Sequence, residues 1–286
     1  MNEKINFSEP ILDVIEKRKS IRSYKKTQLT SEDRNRIQNL MQHVKGPFNS
    51  EIRFMLVESQ TAAKDDNVKL GTYGVIKGAT NFIVAAVKKE CMCLEDLGYK
   101  LETIILYATS LDLGTCWLGG TFKKSDFAKA IDLREDEMIP IISPIGYIDD
   151  SMHILGSIIR VVAGSKKRKK WDELFFCESF DRPLSESKAE MFKIPLEMVR
   201  LAPSASNKQP WRLVKKGNQV HFYLKHDMEY SKALGYDIQR VDMGIAMCHF
   251  ELSAAEMGLC GSWVCKNPNL SLPSDNFEYI ISWKQE

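Results

Sequence analysis

The sequence predicts an α+β fold made of two copies of one sheet-plus-helices unit. Three observations predict it. Strand-like and helix-like segments follow one another in mixed order along the 286 residues. A long apolar helical segment at 97–114 aligns without a gap over a second at 241–258, so that Asp112 falls on Glu256, Gly114 on Gly258 and Cys116 on Cys260. Downstream of each lies a matching strand, Ile141-Ile142-Ser143 in the first copy and Ile280-Ile281-Ser282 in the second.

The elements follow from local pattern. Residues 10–19 carry Ile11, Leu12, Val14 and Ile15 on one helical face. Thr30 to Asp33 opens a second helix with Ile37, Leu40, Met41 and Val44 inward, and Gly46-Pro47 stops it. Residues 52–58 read as a strand. Residues 81–87 read as a central one, apolar on both faces. The longest helix is expected over 94–113, ended by Gly114. Strands are expected over 139–148 and 158–162. In the second copy, a short helix covers 195–201. A hairpin pairs 212–214 with 220–224 around Lys216-Gly217-Asn218. A helix over 242–257 ends at Gly258, and the last strand covers 277–283.

Composition narrows the function. A hydrophobic content of 44% and a charged content of 27% belong to a folded globular chain. Lys+Arg of 40 against Asp+Glu of 38 leaves +2, which argues against a nucleic-acid binder built on overall charge. The run Ser165 to Lys170 is basic but has no interleaved aromatics, so it reads as a solvated charge run. Seven cysteines, with no C-x-x-C pair and no His pair at ligand spacing, argue against zinc and for free thiols in a reducing compartment. The first residues lack the apolar core of a signal peptide, and no apolar stretch of about 18 residues occurs. A cytoplasmic protein is expected.

Three segments carry chemistry. Arg18-Lys19-Ser20-Ile21-Arg22-Ser23-Tyr24 gathers cations and hydroxyls at a helix exit, a donor set suited to phosphate. Ala202 to Trp211 joins a helix to a strand. Its small and hydroxyl residues let the backbone approach a ligand, and Asn207 offers a donor and an acceptor. In the third, Gly114 to Gly120, paired glycines permit close contact with a flat ligand.

Together these segments resemble the FMN-dependent nitroreductase superfamily. The first matches its R-x-S-x-R signature and the second its P-S-x-x-N-x-Q-P-W loop. The third matches its G-x-x-x-L/I-x-G segment, with Pro144-Ile145-Gly146-Tyr147 as the strand and turn that follow. The resemblance spans about residues 10–283 and is closest to a branch with two nitroreductase units fused in one polypeptide. It implies a nitroreductase-like fold arranged as an intramolecular pseudo-dimer. Residues 1–175 would form a first half with a basic arm, and residues 176–286 a second, truncated half. It further implies that FMN is held by Arg18, Lys19, Ser20, Arg22, Leu118, Gly119 and Gly120 from the first half. Pro203, Ser204, Ala205 and Asn207 would come from the second half, and Lys166 and Arg168 from the basic arm.

The departures from the family pattern are informative. The first-half counterpart of the P-S-x-x-N loop, Gly46-Pro47-Phe48-Asn49-Ser50, has lost the motif and is followed by Glu51. The second half has no R-x-S-x-R; the nearest segment is Phe180-Asp181-Arg182-Pro183. One FMN per chain is therefore expected, its vestigial counterpart being filled by side chains such as Phe48 and Phe54.

The implied activity is FMN-dependent NAD(P)H:acceptor oxidoreduction. Hydride would pass by a ping-pong route through flavin N5 to a nitroaromatic, quinone or similar small-molecule acceptor. Lys19 would favour the anionic reduced ring, and no protein acid or base is assigned. The alternatives are a flavin-binding sensor or store without turnover, and a flavin-consuming or ene-reducing enzyme on the same fold. No nucleic-acid or membrane partner is expected, and a working monomer becomes possible because the family's dimer interface would lie within one chain.

Overall fold

The computed structural model describes residues 5–59, 70–149, 167–227, 230 and 234–286. The chain divides into two compact units, Met1–Val162 and Ala163–Glu286. The strand expected at 158–162 lies outside the described residues.

The first unit opens with α1 (Ile11–Lys17) and α2 (Ser31–His43). Thr30 caps α2 as its sequence implies, its hydroxyl accepting from the Asp33 amide at 3.1 Å. Then come β1 (Ile52–Glu58), β2 (Asn81–Lys88), α3 (Cys93–Ser110), β3 (Leu113–Thr115), α4 (Lys124–Ala130), β4 (Glu137–Met138) and β5 (Ile142–Tyr147). The sheet runs β1-β2-β5-β3, with β4 also on β2. β2 is buried along nearly its whole length, the consequence of an uninterrupted apolar run. Phe82, Val84 and Ala86 on one of its faces pack with Phe122, Phe127 and Ile142.

The second unit contains α5 (Trp171–Leu174), β6 (Phe175–Cys177), β7 (Ser179–Pro183), α6 (Glu186–Ala189) and α7 (Lys193–Leu201). These are followed by β8 (Trp211–Lys216), β9 (Gln219–Lys225), α8 (Ile238–Glu256), β10 (Gly261–Val264) and β11 (Phe277–Gln285). Its sheet runs β10-β11-β9-β8-β6-β7. An aromatic core fills one side, with Phe250 at 5.5 Å from Phe222 and 5.3 Å from Trp283 between ring centroids.

The predicted repeat is present as topology. The path β1-β2-β5-β3 of the first unit recurs as β8-β9-β11-β10 in the second. Every neighbouring pair on both paths is antiparallel. The long helices occupy the same place in the repeated path, α3 between β2 and β3 and α8 between β9 and β10. The chain is thus an α+β protein with two copies of one sheet-plus-helices unit.

The gapless alignment does not survive past the helices. In the second unit Gly258, at φ 76°, closes a Schellman turn: its amide donates to the Ala255 carbonyl at 3.1 Å, and the Leu259 amide to Ala254 at 2.9 Å. In the first unit the left-handed position is held by Asp112 at φ 59°, and Gly114 lies within β3. Sheet register sets Gly114 opposite Gly146 and Gly261 opposite Gln285. With Ser143 matched to Ser282, Gly114 therefore corresponds to Gly261 rather than Gly258. The second copy carries a longer helix-to-strand turn.

Candidate functional site

In the first unit, the N-terminal motif leaves α1 as an extended segment and adds itself to the sheet edge. Ser20 bridges Thr115 in parallel, and the Ile21 amide donates to the Thr115 carbonyl at 2.8 Å. The Lys77 amide in turn donates to the Arg22 carbonyl at 2.8 Å. This pairing brings the motif beside the 114–120 segment. Leu118 exchanges both backbone hydrogen bonds with Ile142, at 3.0 and 3.1 Å, and its side chain is buried. Gly119 is half-buried and Gly120 exposed.

The cations differ in setting. Arg18 is largely buried, its Nε 3.7 Å from a fully buried Glu102 carboxylate. Glu102 also accepts from the Trp117 indole at 2.8 Å. Lys19 is exposed. The Nε of Arg22 is buried and has no hydrogen-bond partner among the described residues. An orphaned guanidinium donor is costly to keep, and an anionic ligand is the kind of group that would satisfy it. The donor set therefore fits a phosphate-bearing cofactor. Burial pushes the Cys116 thiol up, against opposing pulls from Arg22, Arg18 and a hydrogen bond with Ser20, so a neutral thiol backs the motif.

In the second unit, the segment from Pro203 to Gln209 is held by its own web. Ser206, Asn207 and Gln209 adopt φ of 47°, 55° and 48°, a left-handed backbone unusual for residues other than glycine. The surroundings enforce it. The Gln209 amide donates to Ser204 Oγ at 2.9 Å, and the Asn207 amide to the Ser204 carbonyl at 3.0 Å. Ser206 Oγ and Tyr230 Oη are 2.7 Å apart. The Ala205 amide donates to Asp242 Oδ1 at 2.9 Å. Pro203, Ser204, Ala205 and Asn207 thus share one structured turn.

The basic arm joins the same turn. Arg168 donates from Nη1 to Asn207 Oδ1 at 2.7 Å and from Nη2 to the Leu201 carbonyl at 2.8 Å. Asn207 Nδ2 donates to the Lys167 carbonyl at 2.7 Å, and Gln209 Oε1 accepts from the Lys169 amide at 2.8 Å. The family resemblance gave Arg168 to FMN; in the structure two of its donors support the turn. Lys166 lies outside the described residues.

The first-unit counterpart of this turn is closed by the protein itself. The amides of Phe48 and Ser50 donate to Asp96 at 3.0 and 2.9 Å. Lys100 pairs with the same carboxylate at 2.9 Å and donates to the Ser50 carbonyl at 2.9 Å. A Cβ on Gly46 would stand 2.2 Å from Asp96 Oδ1, so the backbone and the carboxylate are in close contact. Sequence reasoning missed Asp96 and Asp242, and held Gln209 only as a letter of the P-S-x-x-N-x-Q-P-W loop. The signal of the two acids was present, since Asp96 and Asp242 lie on the buried sides of otherwise apolar helices.

Residues 10–254 match the family model described as "Putative TM nitroreductase". The chain belongs to this family. A crystal structure of a putative nitroreductase from Thermotoga maritima aligns over 99% of this chain and 96% of its own, at 19% identity and a TM-score of 0.61. At that identity the likeness is one of fold, and it extends over both nitroreductase-like units. A nitroreductase family protein from Clostridium novyi NT covers 51% of this chain and 87% of its own at 24% identity, with a TM-score of 0.41. A nitroreductase with bound FMN from Bacteroides fragilis covers 50% and 90% at 20% identity, with a TM-score of 0.40. No curated protein matches this chain significantly. Among the described residues, no helix is long and apolar enough to cross a membrane.

Proposed function

We propose that this protein is an FMN-dependent NAD(P)H:acceptor oxidoreductase of nitroreductase type that binds one FMN per chain. The observation that carries the reading is a single full set of signatures in a nitroreductase-family chain: R-x-S-x-R in the first unit and P-S-x-x-N-x-Q-P-W in the second. Bound FMN supplies the redox chemistry, taking hydride from a nicotinamide and passing electrons to an acceptor.

The chain's own groups bind and orient. Arg18, Ser20 and Arg22 supply charge-assisted donors to the phosphate, with Lys166 as a further cation. Lys19 favours negative charge on the bound ring. Leu118, Gly119 and Gly120 offer an apolar and open backbone surface. Pro203, Ser204, Ala205 and Asn207 present the polar edge, with Arg168 bracing Asn207 from behind.

The stoichiometry is supported by Asp96. The amides of the first unit's turn already donate to Asp96, and Lys100 is paired with the same carboxylate, so the donors an anionic ligand would use there are engaged within the protein. The signatures fall one in each unit, so a single chain carries the full set and a working monomer becomes possible. Seven free thiols fit a cytoplasmic location. The test is an absorbance spectrum before and after anaerobic addition of NADH and of NADPH. A flavin band that bleaches supports the enzyme. A flavin band that no nicotinamide bleaches favours the binding protein without turnover, and a colourless chain that does not take up FMN contradicts both.

A further inference from the structure

The two units use a similar device to hold the turn before β1 in one and β8 in the other, and they use it unequally. In each, an acid on the long buried helix reaches the amides of that turn. Asp96 is saturated: it takes two amides and a lysine. Asp242 takes one amide, that of Ala205, through Oδ1, and its Oδ2 is buried with no partner among the described residues. Among the described residues no cation pairs with it. From this juxtaposition we infer that Asp242 is a positioning residue that sets the 203–209 turn as a neutral carboxylic acid. The inference rests on the proposed role of that turn in holding FMN.

The physical argument has three parts. First, the turn needs an anchor. Ser206, Asn207 and Gln209 sit in left-handed backbone that relaxes unless the surroundings over-determine it, and the Ala205 amide is the bond that ties their start to the rigid helix α8. Second, the anchor is neutral. Asp242 is almost wholly buried, and burial holds its carboxyl well above the usual carboxylate range, with Asp237 pushing the same way and only the Ala205 amide opposing. Third, neutrality suits the ligand. An ionised acid under the turn would repel an anionic cofactor, whereas in the first unit the charge of Asp96 is offset by Lys100.

The shape of aspartate lends itself to a clean test, because Asn and Leu have nearly the same outline. Asp242→Asn keeps the acceptor and stays neutral; Asp242→Leu removes both polar atoms and leaves the Ala205 amide unpaired. Two readouts are measured on the full chain. One is hydrogen exchange of the peptide covering 203–209 without FMN, and the other is FMN affinity by fluorescence quenching. The expected result is that Asp242→Asn matches the parent in both. Asp242→Leu exchanges faster in that peptide alone and binds FMN about tenfold more weakly, the scale of one lost hydrogen bond. If Asp242→Leu does not fold, Asp242→Ala takes its place and the Asn variant must still match the parent. Unchanged exchange in the Leu or Ala variant, or an Asn variant as impaired as these, overturns the inference. If the parent itself binds no FMN, the exchange readout still decides the role of Asp242, and only the proposed function falls.

Discussion

Gly114 and Ile21 meet where the N-terminal motif joins the sheet. A Cβ on Gly114 would stand 2.9 Å from Ile21 Cγ2 and 3.0 Å from Ile21 Cβ. Those atoms sit at the branch of a buried side chain, so they cannot swing away. Ile21 lies between Ser20 and Arg22, and the contact therefore fixes how closely both approach β3.

Gly114→Ala should accordingly destabilise the protein by about 1–3 kcal/mol, the usual cost of overpacking. It should also weaken FMN binding, because Ser20 and Arg22 move with Ile21. Adding Ile21→Ala to the same chain should return part of both losses. Denaturant unfolding and flavin titration of the single and double variants check this; purely additive losses would show that the two residues are not coupled.

The orphaned Nε of Arg22 gives a second expectation. Arg22→Ala should weaken FMN binding by about 1.5–3 kcal/mol, the range for hydrogen bonds to charged groups. Stability without FMN should change little or rise, since a buried donor with no partner is removed. Flavin titration and thermal melts of the apoprotein separate the two effects.

His221 makes the second unit sensitive to acid. Burial lowers its pKa from 6.5 to about 4, and its Nδ1 lies 2.6 Å from Ser282 Oγ. The native imidazole stays neutral at pH values where the unfolded chain takes up a proton. Its contribution to stability is therefore full above pH 6.5 and is lost as pH falls toward 4. The loss is at most about 1.4 kcal/mol per pH unit. Urea midpoints at pH 7 and pH 5 should fall further apart for the parent than for His221→Gln.

Much of this was legible in the sequence, and the exceptions have physical causes. β1 was readable to the residue and β2 to within one, because apolar runs bounded by turns leave one reading. The helix expected over 94–113 stops at Ser110 instead. Leu111 caps the helix, Asp112 turns the chain and Leu113 begins β3, and periodicity alone cannot divide a helix from a three-residue strand. Gly114 looked like a helix stop because glycine has that use; its actual use is the absence of a side chain beside Ile21. The site segments were recognisable as letters. What letters could not give was the bracing: Arg168 beneath Asn207, Asp242 beneath Ala205 and Asp96 closing the first turn join residues 37 to 48 positions apart.

The central claim is that one complete site and one closed site share the chain. Titrating the apoprotein with FMN, with protein concentration set by amino-acid analysis, tests it most directly. The account predicts saturation at one flavin per chain, and bleaching of all of it by NADH or NADPH without air. Saturation near two flavins, or no uptake at micromolar FMN, would contradict it.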